Sequence, residues 1–359
     1  MGKFFSKFGG REEGVAILIV LTAVFIIAIV LTDMAFNTSV NDALARNQLD
    51  SLSAEELSRS GVEMAILELE IYKQMVDQVK GTDPISKSLR AQAQKIIQFG
   101  FVYPIPIFED LQASLKDELQ KLQKGSNIRG SVKATITDLG GRININHFAK
   151  TKELSEVTRK FLTDVINVEF DKDEETRLKY RDFNAREIVG DIEDYIDPNK
   201  ERVLGGEENL FYEHERPPRR SKNLPLDDVS ELLLVRGMTD DIYKILNKQA
   251  TIYGEAINVN TAPKEILIAL IPGMDEKELA ELLKLRDEQP FADQADFEKY
   301  AKTTLRQPEE FNTNPKIPLT GTSQIYKIES VAQVGQAVKI ATVIVEQTKD
   351  IKILSWEFS

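Results

Sequence analysis

The chain has no cysteine, only two histidines and one tryptophan in 359 residues. Without cysteine there is no disulfide, no thiol nucleophile and no thiolate-bound zinc, although the compartment stays open. His147 and His214 lie far apart and in no zinc-protease spacing. No Gly-x-Ser-x-Gly elbow or Walker-type phosphate loop occurs, so nothing points to hydrolase or nucleotide chemistry, and a non-enzymatic protein is expected. Positive charge is in deficit: 46 Lys and Arg against 58 Asp and Glu give a net charge of −12. Phosphate backbones are bound through clustered Lys and Arg, so nucleic acid is not the expected partner. Helix breakers are scarce early in the chain. From Val15 the first proline is Pro84, and Gly61 is the lone glycine between Gly14 and Gly81.

What is present begins with an apolar run, Val15–Leu31, interrupted only by Thr22 and preceded by Lys3, Lys7 and Arg11. Its length is at the short end of a bilayer span. A cleaved secretory signal fits poorly, because the run is long and the nearest small-x-small pattern, Ala43-Leu44-Ala45, lies well downstream. A single-pass anchor with its amino terminus inside follows from the Lys/Arg bias. Apolar residues then recur near helical spacing at Phe36, Val40, Leu44, Leu52, Leu57, Val62, Ile66 and Leu69. A continuous helix over 15–75 would measure about 90 Å; two helices broken near Asn47–Ser53 are the alternative.

Beyond Pro84, residues 81–130 read as a loop and then a helix. Val132, Ala134 and Ile136 alternate with polar residues, as in a half-buried strand. Asp138–Gly141 reads as a hairpin turn, with Arg142–Asn146 the returning strand. Two β-rich runs, 324–334 and 337–346, flank Gly335, and 352–358 reads as a last strand. The expected class is α+β. A long amino-terminal helix (transmembrane half 15–32, periplasmic half 33–76) packs on a small antiparallel sheet from 77–149 and 322–359. A mostly helical module, 150–321, is inserted between them. That module echoes itself: Leu232–Leu246 is similar to Ile268–Leu283, each with Gly-Met, a helix cap and an amphipathic helix, and Ile143-Asn-Ile-Asn146 matches Ile257-Asn-Val-Asn260. In each Ile-Asn-x-Asn, the second asparagine or its successor is expected to cap a helix.

Carboxylates crowd the stretch between Asp191 and Glu215. Asp197-x-Asn199-x-Glu201 offers alternating oxygens. Glu207, Glu208 and Asn209 add more after the Gly205-Gly206 turn. Such oxygens suit a hard cation such as calcium; a solvated loop with Lys200 and Arg202 as partners is the other reading.

Gly14 before the apolar run, with Arg11-Glu12-Glu13 ahead of it, resembles a type IV prepilin leader over residues 1–14. That implies cleavage by a prepilin peptidase between Gly14 and Val15, with possible N-methylation of Val15. Ile19 stands where most pilins carry a glutamate, a departure shared by the K-type minor pseudopilins of type II secretion. Leu52–Glu70 (LSAEELSRSGVEMAILELE) resembles that family closely. So does the ordered series Tyr195-Ile196-Asp197, Gly205-Gly206, Phe211-Tyr212, Pro217-Pro218, Arg220, Asn223, Val229-Ser230-Glu231-Leu232 and Arg236-Gly237-Met238-Thr239. The resemblance implies a pilin-like fold with an inserted SAM-like, helix-hairpin-helix-like domain, and calcium in the acidic loop, where Asn199 and Leu210 replace aspartates of relatives. It implies a tip-capping role that helps start assembly of the periplasmic pseudopilus for export of folded proteins. The partners implied are I- and J-type minor pseudopilins, other pseudopilins through the amino-terminal helix, and the inner membrane, with secreted cargo or the secretin as further candidates. Rival resemblances are a minor pilin of a type IV pilus and, through Ile257–Phe297, the helix-hairpin-helix module of DNA-uptake receptors. In the latter, Asp275 takes the place of the second turn glycine.

Overall fold

The computed structural model of the chain describes residues 10–79, 81, 83–106, 113–126, 128–172, 174–305 and 317–359; residues 1–9 of the expected leader lie outside them. Helix α1 (Gly10–Gln78) runs for 69 residues without a break, about 100 Å at the helical rise. Nothing interrupts it at Asn47–Ser53, as the lack of breakers leads one to expect. Gly14, Val15 and Ile19 all lie on this helix. Its described side chains are exposed as far as Leu49, and this half is long and apolar enough for a single-pass membrane anchor. Burial then starts at Ala54, Leu57, Val62, Ala65, Leu69 and Tyr72, a helical stripe against the sheet. Gly61 lies where rod and sheet approach closely. A Cβ there would stand 2.2 Å from Ser330 Oγ and 2.7 Å from Val132 Cγ2.

Next come α2 (Pro84–Phe99), β1 (Phe101–Tyr103), α3 (Ala113–Gly125) and β2 (Ser131–Asp138). The region read as loop-then-helix is therefore helix, short strand, helix. Asp83 caps α2 by accepting from the Ile85 and Ser86 amides. The chain then leaves the sheet. It forms β3 (Ile143–Asn144), α4 (Lys152–Phe170), α5 (Glu174–Lys179), α6 (Ala185–Ile196), α7 (Asn209–Glu213), α8 (Asp240–Gln249) and β4 (Ala250–Thr251). There follow β5 (Ile257–Asn258), α9 (Lys264–Leu270), α10 (Glu276–Glu288), α11 (Gln294–Thr303) and β6 (Leu319–Thr320). It returns as β7 (Ile325–Val334), β8 (Ala337–Gln347) and β9 (Ile351–Phe358). The five-stranded sheet has the order β1-β2-β7-β8-β9, antiparallel throughout. One core lies between α1, α2 and this sheet; a larger one fills the body between β3 and β6.

The expected hairpin at Asp138–Gly141 does not form. β2 is already paired on both edges, by β1 and β7, and Ile143–Asn144 instead pairs in parallel with β4. Asp138 Oδ1 accepts the Gly140 amide at 2.7 Å. Gly141 then passes so near Thr261 that a Cβ would meet its carbonyl oxygen at 2.5 Å. The two glycines thus steer the chain out of the sheet into the inserted body.

That body is built twice on one plan. β3 pairs with β4 and β5 with β6, both parallel and two residues long. Asn144 Oδ1 accepts the Asn146 amide, and Asn258 Oδ1 accepts that of Asn260. The second asparagine does not cap a helix. Asn146 bonds both ways to the Leu226 backbone (2.7 and 2.9 Å). Asn260 bonds both ways to Phe291 (both 2.8 Å) and donates to Gly321 O. An amide side chain carries donor and acceptor together, so it can hold a strand-like segment without a neighbouring strand. Gly237 and Gly273 take the left-handed conformation (φ 74° and 88°) before helices capped by Thr239 and Asp275. In the first copy the preceding segment, Val229–Leu234, is a 3-10 turn rather than an α-helix.

The inserted body sits at the end of the head away from the exposed rod. The β7–β8 turn at Gly335 faces Asp50. The opposite end of the same strands, beside the exit into the insert, lies at the level of Leu69, whose carbonyl accepts from Gln347 Nε2.

Candidate functional site

The acidic stretch starts on α6, whose second half is buried. Asp191, Glu193, Asp194 and Asp197 are each at most 6% exposed. Buried carboxylates require partners, and three of them have one. Glu193 accepts from Ser155 Oγ and from both Nε and Nη2 of Arg159. Asp191 Oδ1 accepts Arg202 Nη2 at 2.7 Å, and Asp194 Oδ1 accepts the Val203 amide at 2.7 Å. The loop after Asp197 folds back through Gly205 and Gly206 (φ 87° and 101°), closing with Arg202 N to Gly206 O and a bridge between Glu201 and Glu207.

Asp194 Oδ2 accepts no hydrogen bond but lies 3.6 Å from Arg202 Nε; Asp197 and Glu208 have no such cation among the described residues. Asp197 Oδ2 accepts Asn199 Nδ2 at 2.6 Å, yet its Oδ1 is buried without a partner. Glu208, 3% exposed, accepts Asn223 Nδ2 and Ser221 Oγ on Oε2 and leaves Oε1 bare. Asn223 is left-handed (φ 48°). Its amide N–H donates to Tyr195 O and its Nδ2 to Asn199 O, while its Oδ1 is a third buried oxygen without a donor. Burial, with the nearby Glu208 charge second, pushes Asp197 up to about 6. Burial, assisted by Glu208 and Asp191, pushes Asp194 up to about 7, and Glu208 itself is raised by burial.

Of the six sequence-derived ligands, the structure brings Asp197 and Glu208 together. Asn199 spends its side chain on Asp197 and the Glu201 amide. Glu201 and Glu207 are exposed, and Asn209 Oδ1 accepts from Ser221. Asn223 is the residue the ligand pattern missed; its signal is that asparagine tolerates a left-handed backbone better than other non-glycine residues. No three His, Cys, Asp or Glu of the described residues form a metal-holding group. The donor set is therefore two carboxylates plus amide oxygens. That chemistry fits calcium, which accepts carboxylate, amide and carbonyl oxygens together, and does not fit zinc.

Elsewhere, His147 is buried, with burial pulling its pKa down to about 4. At the turn before α10, the Asp275 carboxylate accepts the Glu278 amide at 2.7 Å, one of the amides a phosphate would need there.

Two sequence models, both described as type II secretion system protein K, match residues 141–255 and 257–315. Their boundary falls between the two copies of the asparagine-clamped plan. Residues 141–315 of the chain thus match the type II secretion protein K family. The chain is 41% identical over 63 residues to a putative type II secretion system protein K of Escherichia coli K12, covering 18% of this chain and 19% of the relative. It is 26% identical over 149 residues to type II secretion system protein K of Klebsiella pneumoniae, covering 40% and 44%. The matched stretches thus span less than half the length of these curated relatives. The fold is that of a chain in the crystal structure of the GspK-GspI-GspJ complex from enterotoxigenic Escherichia coli, with a TM-score of 0.52 at 21% identity over 64% of this chain and 80% of that one.

Proposed function

We propose that this chain is a minor pseudopilin of the protein K family that ends the type II pseudopilus at its tip, and that its work is assembly rather than catalysis. The observation that carries this reading is the position of the inserted body, on the end of the head opposite the exposed half of α1. Cleavage between Gly14 and Val15, with Val15 open to N-methylation, frees an apolar helix that leaves the inner membrane for the helices of sister subunits. Val15 and Ile19 are both exposed on it, and with Ile19 in place of glutamate the subunit has no carboxylate to offer the amino terminus of a subunit above. The bulky body then covers the face on which a further head would stack. The related GspK is seen in complex with GspI and GspJ, and I- and J-type minor pseudopilins are the partners proposed here, with the head in the periplasm. The bare oxygens of Asp197, Glu208 and Asn223 support calcium in the acidic loop. A calcium ion there would tie the loop to α6 and to the segment after α7.

Mass spectrometry of protein extracted from membranes should give a chain starting at Val15. Co-expressed I- and J-type subunits should co-purify with the full-length chain. A native amino terminus at Met1, or no association with either subunit, would overturn the reading.

A further inference from the structure

The acidic stretch contains two buried carboxylate pairs side by side, Asp191 with Asp194 and Asp197 with Glu208, and the chain treats them differently. The first pair has a cation of its own. Arg202 Nη2 lies 2.7 Å from Asp191 Oδ1, and its Nε 3.6 Å from Asp194 Oδ2, with the guanidinium side chain only 16% exposed. Arg202 is fixed there by backbone geometry: its amide donates to Gly206 O, its carbonyl accepts from Gly205, and the next amide, Val203, donates to Asp194. Asp194 Oδ2 accepts no hydrogen bond but has the Arg202 charge beside it; the second pair is in no ion pair among the described residues, and Asp197, Glu208 and the adjoining Asn223 each keep an unpartnered buried oxygen.

Building on the calcium reading above, we infer that the acidic region holds a single divalent cation, at Asp197, Glu208 and Asn223, and that Arg202 is the internal cation that fills the neighbouring Asp191–Asp194 pair in place of a second ion. A guanidinium delivers one positive charge through fixed donors. It hydrogen-bonds Asp191 and neutralises Asp194 across 3.6 Å, and it is not lost to chelators. The Arg202–Gly206 arm is thus docked on α6 whether or not calcium is present, and the ion adds only the link between Asp197, Glu208 and Asn223.

The test is native mass spectrometry of the full-length chain in detergent micelles, stripped with chelator and titrated with calcium chloride. The wild type should bind one ion. Asp197→Asn and Asn223→Ala should weaken it at least tenfold, and Asp191→Asn, which keeps the arginine, should still bind one. Arg202→Gln, with its circular dichroism unchanged, should gain a second and weaker ion. Two ions in the wild type, loss of the ion in Asp191→Asn, or a folded Arg202→Gln that stays at one would overturn the inference while leaving calcium binding intact. Should Arg202→Gln not fold, the wild-type count and Asp191→Asn decide. No calcium bound by the wild type at millimolar concentration would overturn the calcium reading and this inference together.

Discussion

The two halves of the inserted body share a frame and differ in what they carry on it. Each opens with Ile-Asn-x-Asn, and each second asparagine grips a distant backbone: Leu226, 80 residues on, in the first half and Phe291, 31 residues on, in the second. The extra length in the first half contains α6, the Gly205-Gly206 hairpin, α7 and Asn223. It is also where buried carboxylate oxygens are left without donors. In the second half Asn260 has its carbonyl and both its amide hydrogens engaged. The frame is thus a shared means of holding a chain without a sheet, and chemistry has accumulated only where the loop between clamp points is long enough to fold on itself.

The strongest way to break the comparison is to cut the clamps. Asn260 is 7% exposed, and its removal orphans the Phe291 amide and two carbonyls. At about 1 kcal/mol per lost buried bond, Asn260→Ala should cost about 3 kcal/mol. Asn146→Ala should cost less: Asn146 is only half-buried, and its third bond, to Ile252 O, is 3.5 Å long. Urea unfolding of the two variants measures the difference; equal losses would mean that burial and the third bond do not set what each clamp contributes.

This frame was partly legible in the sequence. The repeated Ile-Asn-x-Asn announced a duplication, the missing breakers announced α1, alternation announced β2, and β-rich composition announced the strands after Gln324. The partners of β2 were not legible. A strand followed by Gly-Gly reads locally as a hairpin, yet β2 pairs with a strand nearly two hundred residues away, as the Thr135–Glu329 bond shows (separation 194). The role of the second asparagine was hidden for the same reason, because capping is local and clamping is not. In the acidic loop, composition announced oxygens but not which of them arginines already hold. That choice depends on where Arg159 and Arg202 arrive in space, and Asn223 entered the site only through the fold.

A second prediction sharpens the contrast between a half with bare buried carboxylates and a half without. Asp197 and Asp194 have folded pKa values raised to about 6 and 7 by burial. The native state therefore holds protons that the unfolded chain releases above about pH 4. Stability of the ion-free protein should fall as pH rises from about 4 through 7, because the native state binds more protons over that range. Arg159, Lys200 and Arg202, which face these groups, only moderate the trend. Calorimetric scans in chelator between pH 5 and 8 should show Tm dropping by several degrees. With millimolar calcium the drop should vanish or reverse, since a cation favours the charged carboxylates. Identical curves with and without calcium would show that the bare oxygens hold no ion.

The smallest expected effect concerns attachment to the head. The second half is latched to α2 by Lys87, whose Nζ lies 2.6 Å from Asp296 Oδ2, with both side chains under 20% exposed. Lys87 also lies over the Phe291 ring, the residue whose backbone Asn260 grips. Lys87→Ala leaves Asp296 with the Ala292 amide as a donor, so the carboxylate is not stranded. The cost should be about 1 kcal/mol, closer to an exposed pair than to a broken buried one. Its signature is spatial: amide exchange should speed up in α11 and around Phe291, and remain unchanged in α6 and the acidic loop. Faster exchange in both halves would mean that they move as one unit and that the long first half draws its rigidity from the latch, rather than from its own clamp and its internal arginines.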